Sequence, residues 1–128
     1  MRGQIKILIA DENPATLDFL SRLLEDRGFE TCTADSGEKA RELLVQHHFS
    51  AILLGDLMQP PIDGLDLIRR LRFRAPSIVV ATSYGADYVL LAKMAGAQTV
   101  LRKFVDPAYL VTTVEQVISR QPIFPAIS

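Results

Sequence analysis

Short apolar runs alternate with amphipathic stretches along the whole chain. Residues 5–10 (IKILIA) form a β-rich apolar run that breaks into Asp11-Glu12-Asn13-Pro14, the pattern of a buried strand meeting a turn. Asn13 suits a helix N-cap and Pro14 the first helical position. Leu17, Leu20, Leu23 and Leu24 then recur at helical spacing, with Asp18, Arg22, Glu25 and Asp26 on the opposite face, and Gly28 ends the run. Residues 29–34 (FETCTA) alternate and predict a second, less buried strand. A second helix follows, carried by Ala40, Leu43 and Leu44. Asp35 and Ser36 both stand where its cap falls, and the sequence does not separate them.

Residues 51–55 (AILLG) predict a third strand, which runs into Asp56-Leu57-Met58-Gln59-Pro60-Pro61-Ile62-Asp63-Gly64. Two consecutive prolines exclude helix and strand interiors there, so this is a loop. Leu65, Leu67, Ile68 and Leu71 mark a third helix, closed by Pro76. Residues 77–82 (SIVVAT) give a fourth strand, 86–95 a helix ended by Gly96, and 98–102 (QTVLR) a short fifth strand. Asp106-Pro107 caps a last helix with Leu110, Val114, Val117 and Ile118 on one stripe, stopped by Pro122. Five strand–helix units in strict alternation predict an α/β fold: a parallel sheet with right-handed crossovers and helices on both faces.

Composition narrows the class. At 128 residues the chain has the length of one domain and buries about two thirds of its unfolded surface. Hydrophobic residues make up 48% and charged residues 23%, which excludes a disordered chain. The single cysteine, Cys32, excludes a disulfide framework and a cysteine-rich metal site. The formal net charge of −1 gives no global pull toward nucleic acid or an anionic membrane. No apolar run approaches a membrane span, and Met1-Arg2-Gly3-Gln4 leads into the first strand without a signal-peptide pattern. The expectation is a cytoplasmic domain over residues 1–121, with 122–128 as a C-terminal tail or linker stub and no room for an output domain among them.

In an open parallel sheet, ligands bind beyond the carboxyl ends of the strands. Strand one ends in Asp11-Glu12, strand three in Asp56, strand four in Thr82-Ser83 and strand five in Arg102-Lys103. Three clustered carboxylates call for a cation, and oxygen-only ligation in a hydrated site suits Mg²⁺ or Mn²⁺. A hydroxyl and a lysine beside it are the parts that hold a transferring phosphoryl group, and an aspartate can be the nucleophile, as an acyl phosphate.

At these positions the chain resembles the response-regulator receiver domain of two-component signalling, over residues 5 to 120. The likeness rests on Asp11-Glu12, on the block from Asp56 through Pro60 and Asp63 to Gly64, and on Thr82, Lys103 and Asp106-Pro107. It implies a flavodoxin-like, doubly wound, five-stranded sheet in the order 2-1-3-4-5 with five helices, a three-layer sandwich. It implies that Asp56 is the phosphoacceptor, taking phosphoryl from a sensor histidine kinase or phosphotransfer protein. Asp11, Glu12, Asp56 and the backbone carbonyl of Met58 would hold Mg²⁺ or Mn²⁺. Thr82 and Lys103 would bind the phosphoryl group, and the face made by the fourth helix, fifth strand and fifth helix would dimerise or bind partners.

Several positions depart from the family's usual pattern. Gln59 stands where methionine is common, and Pro61 where glycine is common. Phe104 replaces the proline whose cis peptide shapes the loop after the lysine; since a non-proline cis bond costs about 2.5–4 kcal/mol, a trans or strained bond is expected after Lys103. Val100 replaces the aromatic residue that moves on activation, so the usual threonine–aromatic switch should be altered. Met58 and Tyr84, each two residues beyond Asp56 and Thr82, should hinder in-line water and slow self-dephosphorylation.

Plainer explanations account for the remaining features. Asp11-Glu12 alone would read as helix-capping acids. Cys32 reads as a small buried apolar residue. His47 and His48 are adjacent and share no helix face, and Arg69, Arg70, Arg72 and Arg74 form a solvated helix face. The helix at 86–95 (ADYVLLAKMA) is apolar on more than one stripe, so it is either deeply buried or a partner-binding face. The alternatives to a phosphorylatable switch are a degenerate receiver acting as a phosphorylation-independent interaction module and, last, an aspartyl phosphatase. The latter usually carries a second acid where Met58 stands. No direct contact with nucleic acid, no membrane association and no enzyme activity on a separate substrate are expected.

Overall fold

Period-two side-chain alternation along the strands builds both faces of one sheet. The computed structural model describes residues 5–71, 77–103 and 105–120. Within them lie β1 (Lys6–Ala10), α1 (Pro14–Glu25), β2 (Glu30–Ala34), α2 (Gly37–Gln46) and β3 (Ala51–Leu54). These are followed by α3 (Gly64–Leu71), β4 (Ser77–Thr82), α4 (Ala86–Ala95), β5 (Thr99–Arg102) and α5 (Pro107–Ser119). The strands pair in parallel in the order β2-β1-β3-β4-β5. The doubly wound α/β arrangement expected from the alternation and from the family likeness is therefore observed.

Each face of the sheet carries its own core. Leu8, Ile52, Leu54, Ile78 and Val80 point to the layer of α2, α3 and α4, and meet Ala40, Leu67, Ile68 and Ala92. Ile7, Ile9, Leu53 and Val79 point to the layer of α1 and α5, and meet Leu17, Leu20, Leu24, Leu110, Val111 and Val114. The central strands β1, β3 and β4 are buried on both sides, while β2 at the edge is partly exposed.

Local signals explain the boundaries. Asn13 caps α1 through bonds from the N–H groups of Ala15 and Thr16, with Pro14 at the first position. Ser36, not Asp35, caps α2, its Oγ accepting from the Lys39 N–H at 3.1 Å. Asp106 caps α5 through the Tyr109 N–H. Gly96 closes α4 with φ of 132°, a conformation that favours glycine. Ile5, Phe29, Gly55 and Gln98 fall just outside the strands. The arginines at 72 and 74, Pro76 and the tail at 122–128 lie outside the described residues.

Among the described residues no helix is long and apolar enough to cross a membrane. Of the two outcomes open for α4, deep burial is not the one observed: only Ala92 and Ala95 are buried, and Leu90, Leu91 and Met94 are exposed.

Candidate functional site

The parallel register brings the carboxyl ends of β1, β3, β4 and β5 level. Ala10 faces Leu54, Leu54 faces Val80, and Thr82 faces Arg102. The residues that follow therefore emerge along one rim.

Asp11 anchors this rim and is 2% exposed. Its Oδ1 accepts the Asn13 N–H at 2.8 Å, and its Oδ2 accepts the Asp56 N–H at 3.1 Å. Gly55 explains how the two strands come so close: a Cβ there would collide with the Asp11 carboxylate. Lys103 Nζ donates to Asp11 Oδ2 at 2.7 Å and lies 3.2 Å from Asp56 Oδ2. The ammonium thus bridges the two carboxylates. The Lys103 N–H donates to the Thr82 carbonyl at 2.8 Å, fixing where the side chain starts.

Asp56 is gripped from the β4 side. Thr82, fully buried, donates from Oγ1 to Asp56 Oδ1 at 2.6 Å. The same Thr82 oxygen accepts the Tyr84 N–H at 3.0 Å. Ser83 donates to Asp56 Oδ2 twice, from its backbone N–H at 3.2 Å and from Oγ at 2.7 Å. Burial raises the Asp56 pKa, but the bonds from Thr82, Ser83 and Lys103 outweigh it and hold the carboxyl below its usual value. Burial likewise depresses Lys103, but Asp11 and then Asp56 outweigh it and lift the ammonium above its usual value.

Glu12 turns toward the β3–α3 loop. Its Oε2 accepts the N–H groups of Met58 at 2.7 Å and Gln59 at 2.8 Å. Asp11, Asp56, Thr82 and Lys103 are thus joined directly, and Glu12 reaches the same rim through the loop backbone. All the acidic donors are oxygen, as a hard cation needs. In this conformation, however, Lys103 bridges Asp11 and Asp56 while Glu12 points at the loop. Among the described residues no three His, Cys, Asp or Glu side chains surround a common point.

The flanking positions divide. Tyr84 is exposed at the rim and its ring lies 5.6 Å from that of Tyr88. Val100 pairs with Val80 on the sheet and packs against the α2-α3-α4 core. Phe104 lies outside the described residues. Two residues gain significance that their sequence positions did not give them. Ser83 holds Asp56, and its only signal was a second hydroxyl at the end of β4. Tyr88 packs into the core beside α3, and a Cβ on Gly64 would lie 3.1 Å from its hydroxyl. That hydroxyl is buried without a hydrogen-bond partner. Burial, then the charges of Asp56 and Asp63, push its pKa up to about 12.

Comparison with known proteins agrees with this geometry. Residues 7–115 match the family model described as the response regulator receiver domain. The chain is 29% identical over 127 residues to Response regulator Rre1 of Synechocystis sp., covering 94% of this chain and 54% of that one. It is 34% identical over 123 residues to the alginate biosynthesis transcriptional regulatory protein AlgB of Pseudomonas putida, covering 93% and 27%. A crystal structure of a two-component response regulator from Clostridium difficile superposes with a TM-score of 0.84 at 26% identity, covering 91% of this chain and 98% of that one. The chain belongs to the response-regulator receiver family. It spans about half the length of the Synechocystis relative and about a quarter of AlgB.

Proposed function

We propose that this domain is a phosphorylatable switch whose phosphoacceptor is Asp56. Receiver domains are signalling switches, and the observation that carries the reading here is the set of donors on one carboxylate. Asp56 receives Thr82 Oγ1 at 2.6 Å and has Lys103 Nζ at 3.2 Å. An ionised carboxylate is the nucleophile that phosphoryl acceptance needs, and its depressed pKa keeps it so at neutral pH. Its electron pair forms the O–P bond as the P–N bond of a donor phosphohistidine breaks, the leaving pair going to the imidazole. Thr82 and Lys103 then hold phosphoryl oxygens, supplying hydrogen bonding and positive charge where negative charge gathers.

Asp11, Glu12 and Asp56, with the Met58 carbonyl, are the residues that would hold Mg²⁺ or Mn²⁺. Such an ion, when bound, offsets charge on the acids and the phosphoryl oxygens. Glu12 Oε2 accepts the Met58 and Gln59 N–H groups, so Oε1 would join it unless Oε2 leaves them. Met58 and Tyr84 flank the approach of water to the acyl phosphate, and slow self-dephosphorylation follows. The partners are a sensor histidine kinase or phosphotransfer protein, and a second copy or output partner on the α4-β5-α5 face. Leu90, Leu91 and Met94 leave that face apolar. No direct nucleic-acid contact is assigned to this domain, and a cytoplasmic location suits its partners. Val100 and Phe104 favour the alternative of a phosphorylation-independent module, but the convergence on Asp56 favours the switch.

The test is intact-mass measurement after incubation with Mg²⁺ and acetyl phosphate. A gain of one phosphoryl group, lost in Asp56→Ala, is expected. No gain in the wild type would support the phosphorylation-independent module.

A further inference from the structure

The two oxygens of Asp56 are not equivalent. Oδ1 points at Thr82, which is fully buried, and takes one bond from it. Oδ2 points at exposed Ser83 and at the Lys103 ammonium. It has three donors: Ser83 Oγ at 2.7 Å, Ser83 N–H at 3.2 Å and Lys103 Nζ at 3.2 Å. A carboxylate oxygen offers about two lone pairs, so Oδ2 is fully committed. Yet Oδ2 is the oxygen an incoming phosphoryl group reaches, because it faces the open side and the cation that such a group needs.

We infer that the Ser83 side chain is a latch on the phosphoacceptor: its hydroxyl occupies Asp56 Oδ2 and must swing away before that oxygen attacks phosphorus. The inference rests on Asp56 being the phosphoacceptor. The backbone N–H of Ser83 is fixed by the chain, but its hydroxyl turns about one bond, and the residue is exposed, so the latch opens without unfolding. In the transfer from acetyl phosphate, an Oδ2 electron pair forms the O–P bond. The P–O bond to the acetyl group breaks with its pair departing on acetate. Ser83 keeps its proton and turns to a phosphoryl oxygen or to water.

The experiment is the rate of phosphoryl uptake from acetyl phosphate with Mg²⁺, followed by intact mass in the wild type, Ser83→Ala and Ser83→Thr. Loss of a hydrogen bond to a charged group predicts uptake about tenfold faster in Ser83→Ala. Ser83→Thr keeps the hydroxyl and should stay within about twofold of the wild type. Ser83→Ala taking up phosphoryl no faster than a competent wild type overturns the latch while leaving the phosphoacceptor standing. Equal acceleration in both variants also overturns it, because side-chain shape rather than the hydroxyl would then set the rate. A wild type that takes up no phosphoryl overturns the phosphoacceptor reading and the latch together.

Discussion

Helices α1 and α4 both follow strands that end in the site, yet they are held in opposite ways. At its start α1 is fastened by Asn13, whose side chain accepts two N–H groups, and it buries Leu17, Leu20 and Leu24 against the sheet. By contrast, α4 starts at Gly85 with no side-chain cap and buries only Ala92 and Ala95. Its larger apolar groups, Leu90, Leu91 and Met94, face outward, and Tyr88 buries a hydroxyl without a partner. Burial of alanine stabilises far less than burial of leucine, and an unmade hydrogen bond works against the packing. The α1 side of the site is thus capped and packed through leucines, while the α4 side is uncapped and buries only alanines. The helix without a side-chain cap is also the one joined to Asp56, because Thr82 Oγ1 both donates to Asp56 and accepts from Tyr84 N–H. A group on Asp56 that draws Thr82 away competes with that second bond, just before a helix that starts without a side-chain cap.

Mutations test the contrast by stability. Leu24→Ala in α1 should cost about 2–5 kcal/mol in urea unfolding, while Met94→Ala in α4 should stay within about 0.5 kcal/mol. Equal losses would erase the difference between the helices. Tyr88→Phe removes the unpartnered hydroxyl and should raise stability by about 1 kcal/mol with an unchanged urea slope. A loss would mean that the hydroxyl has a partner in solution. Asn13→Ala should destabilise by about 1 kcal/mol. Gly85→Ser should instead gain a few tenths of a kcal/mol, since an added Cβ there meets nothing within 4 Å.

The pH dependence sharpens the site half of the contrast. Asp56 is depressed in the folded state, so its contribution is present above its ordinary value and is lost as pH falls through the lower native value. Lys103 is raised, so its contribution is full below its ordinary value and is lost as pH rises through the native one. The stability difference between the wild type and Asp56→Asn should therefore be flat at neutral pH. It should shift against the wild type only below about pH 4. A shift centred near neutrality would contradict the donor set described on Asp56.

How legible the molecule was in its sequence depended on the range of the signal. The alternation of apolar strands and amphipathic helices gave the α/β class, because period two and period 3.6 are local. Strand order needed the family likeness, since no local pattern says which strand β1 pairs with. Asp11, Asp56, Thr82 and Lys103 were visible because strand ends are marked by abrupt polarity. Ser36 could not be separated from Asp35, since both carry a capping oxygen and only backbone geometry decides. Ser83 and Tyr88 carry no distinguishing signal in the sequence, because a serine after a strand and a tyrosine in an apolar helix have ordinary explanations. Their importance lies in contacts with Asp56 and beside Gly64, which are set by tertiary packing. The apolar pattern of α4 left burial and exposure open because either satisfies it.

The most direct test of the account is amide hydrogen exchange by mass spectrometry on the full chain, with and without Mg²⁺ and acetyl phosphate, in the wild type and Asp56→Ala. Peptides from the wild type should carry the phosphoryl group on Asp56, with exchange changing in residues 83–96 and staying constant in 14–25. Asp56→Ala should show neither. A wild type phosphorylated on Asp56 whose α4 exchange stays unchanged, or whose change falls in α1 instead, would contradict the link from Asp56 through Thr82 to α4.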